Sequence, residues 1–390
     1  MRAVWRLSSS SSALVTWLVA LGAFALGMAS YITAGLIAMI GPAFDVPVAA
    51  AAQLVTAFTL AYGLGSPVVV ALWPGHRQRE GLLGALGLFV LANAASAMAR
   101  DFGWLLAWRA VAGVGAGVYL ALGIAACTAL VVPERRGQVI AVLMGGMASG
   151  TVLGVPLGLW LAGRLGWASA LWAVAALGLV ALMGLLWRLP PLPRTAALSL
   201  PRKLALLADG QVARVLAVSL LAAVASLGLY TFMAPLLAGE GGALPLALYL
   251  WVWGLGGVLG SFAVGPLAAR VQAPVLTLGI MLTLALCLWA LPLAMRGHAA
   301  LALLPIALWG AAGWALQVPQ NQALIDARER RGDGHLAVAL NESALYLGSA
   351  IGAAGGGLML LWQWPVAALA WAAGALAAAG ALLQWLSLRR

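Results

Sequence analysis

The sequence predicts an all-α membrane protein of twelve transmembrane helices in two pseudo-symmetric six-helix halves, and three observations predict it. The residues are 64% hydrophobic and only 8% charged, against about 25% charged in soluble domains. Apolar runs long enough to cross a bilayer follow one another twelve times, and one long polar interruption divides them six and six.

The first six runs cover about 13–40, 48–73, 81–99, 104–131, 138–162 and 168–189, and the second six about 213–238, 244–269, 274–295, 299–321, 336–361 and 365–388. A helix of about 20 apolar residues spans a hydrocarbon core of about 30 Å. The first run is longer than the apolar stretch of a signal peptide and reads as an uncleaved span. The interruption from Arg188 to Arg214 carries Pro190, Pro191, Pro193 and Pro201. It reads as a linker, giving an N-terminal half at 1–189, a cytoplasmic linker at 190–212 and a C-terminal half at 213–390.

The net charge of +11 is a topology signal. With the N-terminus inside, 17 of the 21 Lys and Arg fall in the N-terminal tail, the alternate loops and the C-terminus. Arg100, Arg164 and Arg296 fall on the other side and Arg109 within a span. This positive-inside bias places both termini in the cytoplasm of a multi-pass protein. No aromatic-interleaved basic patch points to nucleic acid. Cys127 and Cys287 lie within spans at no disulfide or metal spacing and read as small packing residues.

Within the fifth run, Gly146, Gly150, Gly154 and Gly158 repeat at every fourth position, with Pro156 among them. That spacing lays a smooth stripe along one helix face, and small residues let membrane helices approach backbone to backbone. A shift of 198 residues carries Gly150, Gly154 and Gly158 onto Gly348, Gly352 and Gly356, and Gly146 onto Ala344. The coincidence in the fifth span of each half reads as an internal repeat, the architecture of transporters with a midplane site between repeats. Smooth paired faces would let two halves rock.

Titratable groups within the spans are few. Arg109, about five residues into the fourth span, faces a cavity or partner, anchors an anion, or snorkels to an interface; as arginine it stays protonated. Glu342, about six residues into the eleventh span beside Asn341 and one turn before Tyr346, is the proton-coupling candidate, against the alternative of a solvated carboxylate at the cytoplasmic mouth. Tyr31, Gln53, Arg109, Tyr230, Trp314, Asn341 and Tyr346 form the candidate substrate-binding set; a mostly apolar pocket with a few polar handles suits a neutral or amphipathic small molecule. No metal-binding, nucleotide-binding or catalytic spacing occurs, so neither cofactor nor enzyme activity is expected. Uphill movement of a substrate would then draw on an ion gradient.

The same residues resemble the major facilitator superfamily, in its twelve-span drug and sugar efflux antiporters of the arabinose-efflux kind. The segment Gly150-Thr-Val-Leu-Gly154-Val-Pro156-Leu-Gly158 is similar to the family's antiporter motif, and Arg109 with Gly113, Gly115 and Gly117 to its fourth-span arginine motif. Pro133 to Gly137, Tyr230 to Pro235, Gly254 to Gly260 and Asn341 to Gly348 resemble further family segments. Three positions depart. Ser30 stands where similar exporters carry a first-span acid, Pro74 stands where the loop after span two carries Asp, and Glu342 and Tyr346 replace an apolar residue and an Asn. The reading is that the acid has moved from span one to span eleven.

The resemblance implies a major facilitator fold and a monomeric transporter in a bacterial inner membrane, exporting a metabolite, sugar or drug-like compound by alternating access with proton antiport. The alternatives are a facilitator or importer, which Ser30 keeps open, and a membrane sensor built on a transporter fold.

Overall fold

The computed structural model describes residues 9–132, 135–192, 208–238, 244–328 and 334–389. Among the described residues, twelve helices long and apolar enough to cross a membrane run, in order, Ser12–Ala43, Val48–Leu72, Gln78–Ala97, Phe102–Ala129, Arg136–Leu165, Ala168–Arg188, Gly210–Tyr230, Leu246–Ala268, Ala273–Arg296, Ala299–Arg328, Ala337–Leu361 and Val366–Leu388. These are spans 1 to 12 below. The predicted runs and the helices agree in number, and their ends differ where backbone chemistry intervenes. Residues 193–207 of the expected linker lie outside the described residues, as do Glu134, Glu240, Glu329 and Asp333.

Span 7 was expected to continue to residue 238, but its helix ends at Tyr230 and a separate short helix follows at Met233–Ala238. Pro235 would clash with the carbonyl four residues earlier, at Thr231. The chain turns there instead, with Thr231 N–H donating to Gly228 at 3.2 Å and Phe232 N–H to Leu229 at 2.9 Å. Span 10 is likewise built of pieces, Leu303–Ala315 and Gln317–Arg328, with Pro319 removing a donor just past the break.

Two spans widen into single π-turns, Ala61–Gly65 in span 2 and Gly150–Gly154 in span 5. Each ends two residues before a proline, Pro67 and Pro156. A proline has no N–H for the carbonyl four residues back, here Gly63 and Val152, and a local π-turn is one way a helix absorbs that loss.

The helices group into two compact units, residues 1–32 with 64–199, and residues 33–63 with 200–390. In unit 1 the glycine stripe of span 5 lies on span 1. A Cβ added at Gly146 would stand 2.5 Å from the Ala20 carbonyl oxygen, one at Gly150 would collide with the Phe24 carbonyl, and one at Gly27 with the Met147 carbonyl. The contact is backbone on backbone from both sides. In unit 2 the counterpart stripe of span 11 lies on span 7. A Cβ at Gly348 would stand 2.7 Å from the Leu220 carbonyl oxygen, and one at Gly352 would stand 2.5 Å from that of Val224 and 2.6 Å from Gly228 Cα. The repeat offset of 198 thus relates two helix seams as well as two glycine strings.

Candidate functional site

Unit 1 holds a buried cation within a span. Arg109, 1% exposed, projects from span 4 and donates through Nη1 to Asn93 Oδ1 of span 3 at 3.2 Å and through Nη2 to the Ala29 carbonyl of span 1 at 2.9 Å. Asn93 is oriented for this by its own amide, which donates to the Phe89 carbonyl at 2.8 Å. Arg109 therefore ties three helices through neutral acceptors, and interfacial snorkelling does not describe it. Beside Ala29, Ser30 donates back to the Leu26 carbonyl at 2.9 Å. The hydroxyl at the position where similar exporters carry an acid is used locally, within its own helix. Tyr31 is half-buried on the same helix.

The loop after span 2, where Pro74 replaces an expected acid, still fastens unit 1. Arg79 Nε donates to the Leu189 carbonyl at 3.0 Å and its Nη2 to that of Leu186 at 3.2 Å. A guanidinium on the last carbonyls of a helix meets the negative end of its dipole. Arg77 pairs with Glu80 at 2.6 Å on the surface. Such exposed pairs contribute little.

Unit 2 is built from amides and aromatic rings. Neighbouring residues of span 10 reach two different helices: Gln320 Nε2 donates to Ser219 Oγ of span 7 at 3.1 Å and to the Val215 carbonyl at 3.2 Å, while Asn321 Oδ1 accepts from Asn341 of span 11 at 2.9 Å. Glu342 follows Asn341 and is half-buried. One turn on, Tyr346 stacks on Tyr62 of span 2, ring centroids 3.5 Å apart and planes within 15°. Gln53, also on span 2, meets span 11 at Gly357, where an added Cβ would stand 2.8 Å from its Nε2.

The second feature of unit 2 is an aromatic cluster centred on Trp253 of span 8. Tyr230 lies 4.6 Å from it, Trp314 5.8 Å edge-on and Trp309 6.2 Å edge-on. Trp309 Nε1 donates to Ser226 Oγ at 2.8 Å, the partner a buried indole requires. Gly257 leaves room for the Trp314 ring, which a Cβ would approach to 2.5 Å. Trp253 and Trp309 are buried, whereas Trp314 is half-buried.

Of the residues singled out in the sequence, Tyr31 and Arg109 thus lie in unit 1, and Gln53, Tyr230, Trp314, Asn341, Glu342 and Tyr346 in unit 2. The structure joins Tyr230 with Trp314 through Trp253, and sets Gln53, Asn341, Glu342 and Tyr346 along the faces of spans 2, 10 and 11. Asn93, Trp253, Trp309, Gln320 and Asn321 were missed. An Asn within the apolar third run was the available signal for Asn93, and Gly254 to Gly260 beside several tryptophans was the signal for the ring cluster. A cavity of about 600 Å³ also opens at the first loop of unit 2, between Ile37, Pro42, Asp45, Pro47 and Pro235.

Outside the membrane, Asp209 caps span 7. Its carboxylate accepts from Val212 N–H at 3.3 Å and Gln211 N–H at 2.9 Å, and pairs with Arg328 at the end of span 10 at 2.9 Å. The backbone donors of Val212 and Gln211, and then Arg328, hold its pKa below the ordinary carboxylate value.

Twelve apolar spans and glycine seams between helix pairs define a polytopic membrane protein. The chain belongs to the Major Facilitator Superfamily, whose family model matches residues 19–335. It is 30% identical over 345 residues to the inner membrane transport protein YdhP of Escherichia coli (strain K12), covering 88% of this chain and 87% of that one. It is 33% identical over 304 residues to a chloramphenicol resistance protein of Streptomyces lividans, 75% of this chain and 74% of that one. Its fold matches the crystal structure of a D-xylose-proton symporter with TM-score 0.77, at 18% identity over 95% of this chain and 97% of that one. The members of this family are transporters and not enzymes.

Proposed function

We propose that this transporter exports a small, largely apolar compound across a bacterial inner membrane, by alternating access and in exchange for protons, with both termini cytoplasmic. The observation that carries the reading is the seam of spans 1 and 5. The segment Gly150 to Gly158, which resembles the antiporter motif of exporters, meets span 1 backbone to backbone at Gly150 and lies on the Met28 and Ile32 side chains at Gly154 and Gly158. The name of the Streptomyces lividans relative, a chloramphenicol resistance protein, supports efflux, and that of YdhP supports the inner membrane. Glu342 supports the coupling ion, because a half-buried carboxylate within a span is costly and such groups mark ion pathways. The half-buried Trp314 beside Tyr230 and Trp253 supports an apolar, ring-bearing substrate. Arg109 serves this reading as an anchor for three helices.

Everted vesicles holding an imposed proton gradient test it. Chloramphenicol, sugars, nucleosides, organic acids and cationic drugs are added in turn, and a transported compound dissipates the gradient. Glu342→Gln should lower that response at least tenfold, and no response to any compound would defeat the antiport reading. A facilitator is the second reading, favoured by Ser30 bonding within its own helix where an acid is absent. Its mark is counterflow in proteoliposomes with no gradient dissipation.

A further inference from the structure

Span 1 ends in a way that its own backbone chemistry disfavours. Phe44 N–H closes the last turn on the Ile40 carbonyl at 3.1 Å and Val46 N–H on that of Gly41 at 3.0 Å, which leaves Asp45 between them in the left-handed region at φ 51°. Helices usually place Gly at this position, and sometimes Asn, because a Cβ is strained there. A carboxylate just past a helix C-terminus also meets the negative end of the dipole, where a cation is favoured. Asp45 is exposed and, among the described residues, forms no ion pair that would offset either cost. Two local rules broken at one residue are a mark of functional sites.

The same residue lines the cavity of about 600 Å³ in unit 2, whose far wall is Ala234 and Pro235 of the short helix Met233–Ala238. That volume falls within the roughly 300–1,000 Å³ usual for small-molecule sites. Asp45 is the one lining residue with a polar side chain; the others are Ile, Val, Ala, Gly and Pro. Pro42, Pro47 and Pro235 each hold φ fixed in a different part of the wall, so the cup is largely formed before a ligand arrives. The walls receive an apolar body, while Asp45 and the carbonyl end of span 1 supply negative potential alone. An anion would be repelled, and a sugar would leave most of its hydroxyls unpaired.

We infer that this cavity is a binding site for a lipophilic monovalent cation, an aromatic phosphonium or a charged tertiary amine, with Asp45 as its counter-charge. The site shares no residue with the cluster of Tyr230, Trp253, Trp309 and Trp314. It goes beyond the export reading, because equilibrium binding at this end of span 1 requires no transport. With both termini cytoplasmic, the cavity lies toward the outer face, where a cation would meet it from outside.

The full chain, purified into phosphatidylcholine nanodiscs, is titrated with tritiated tetraphenylphosphonium, and empty nanodiscs give the lipid background. Asp45→Asn keeps the shape and a residue type tolerated at positive φ. It should weaken binding roughly 3- to 5-fold, the upper part of what one exposed charge contact contributes. Asp45→Gly should weaken binding equally and keep or raise the melting temperature, since glycine is the favoured residue at that position. A merely structural aspartate would move stability and leave affinity alone. Ala234→Trp, which fills the cup, should lower affinity about tenfold or more as apolar contact is lost. Added salt should weaken binding to the wild type more than to Asp45→Asn. Wild-type affinity in both Asp45 variants, or no saturable binding to the wild type, would overturn the site. Affinity lost in Trp314→Ala and kept in Asp45→Asn would place the cation at the ring cluster and overturn it equally. An everted-vesicle assay with no response to any compound would defeat the export reading instead, and these titrations would still decide the site.

Discussion

The seam of spans 1 and 5 in unit 1 and the seam of spans 7 and 11 in unit 2 use the same glycine spacing and differ at both ends. At the first position unit 1 has Gly146, whose missing Cβ admits the Ala20 carbonyl. Unit 2 has Ala344 there, packed with Val212, Leu216, Leu324 and Ala337. At the last position Gly158 faces the flexible ends of Met28 and Ile32, while Gly356 faces the rigid ring of Phe232. Unit 1 is therefore tight at the first position of its stripe and yielding at the last, whereas unit 2 accommodates a Cβ at the first position and meets a rigid ring at the last. A repeat conserves the spacing that lets backbones meet, while the neighbours decide how much each position tolerates.

That asymmetry can be broken experimentally. Gly150→Ala drives a methyl into the Phe24 carbonyl and should cost the most, about 3 kcal/mol, the upper part of the range for overpacking. Thermal unfolding in detergent measures it, and a wild-type melting temperature would deny the seam. Arg109→Gln removes the charge that binds Asn93 and Ala29 and should cost about 2 kcal/mol, as buried acceptors lose their donor. Asn93→Ala should then add little to it in the double variant.

Asp209→Ala should cost about 1 kcal/mol through the lost cap, and it carries a pH signature. The folded carboxylate has a lowered pKa, because Val212 and Gln211 N–H and then Arg328 favour its charged form. Its stabilisation is therefore complete above the unfolded value near 3.9 and is lost as pH falls through the lower folded value. The wild-type and Asp209→Ala melting curves should converge in that acid range, and a constant gap would contradict the assignment. A last pair of variants sharpens the comparison of seams. Gly158→Ala should cost under about 1 kcal/mol because Met28 can move, whereas Gly356→Ala should cost about 1–3 kcal/mol against the Phe232 ring.

Much of the fold was readable in the chain because hydrocarbon allows few solutions. Every backbone polar group must be satisfied internally, so each long apolar run had to be a helix, and the runs matched the spans in number and order. Their ends were less readable where prolines act through the carbonyl four residues back. Pro235 cuts span 7 at Tyr230, and Pro67 and Pro156 each widen a turn upstream of themselves. The groups near the candidate site were readable as residue types and not as partnerships. Arg109 announced a buried charge, but Asn93 and the Ala29 carbonyl lie 16 and 80 residues away in sequence. The relation of Tyr62 to Tyr346 had no local signature at all.

The sequence by itself determined the membrane class, the number of helices and the repeat, since hydropathy, charge placement and glycine spacing are local properties that the bilayer reads directly. Tertiary structure decided which helix lies against each glycine, how Arg109 is satisfied, and which ring Tyr346 stacks on. Those are relations between distant segments, settled by close contact among side chains and backbones that no stretch of sequence contains alone.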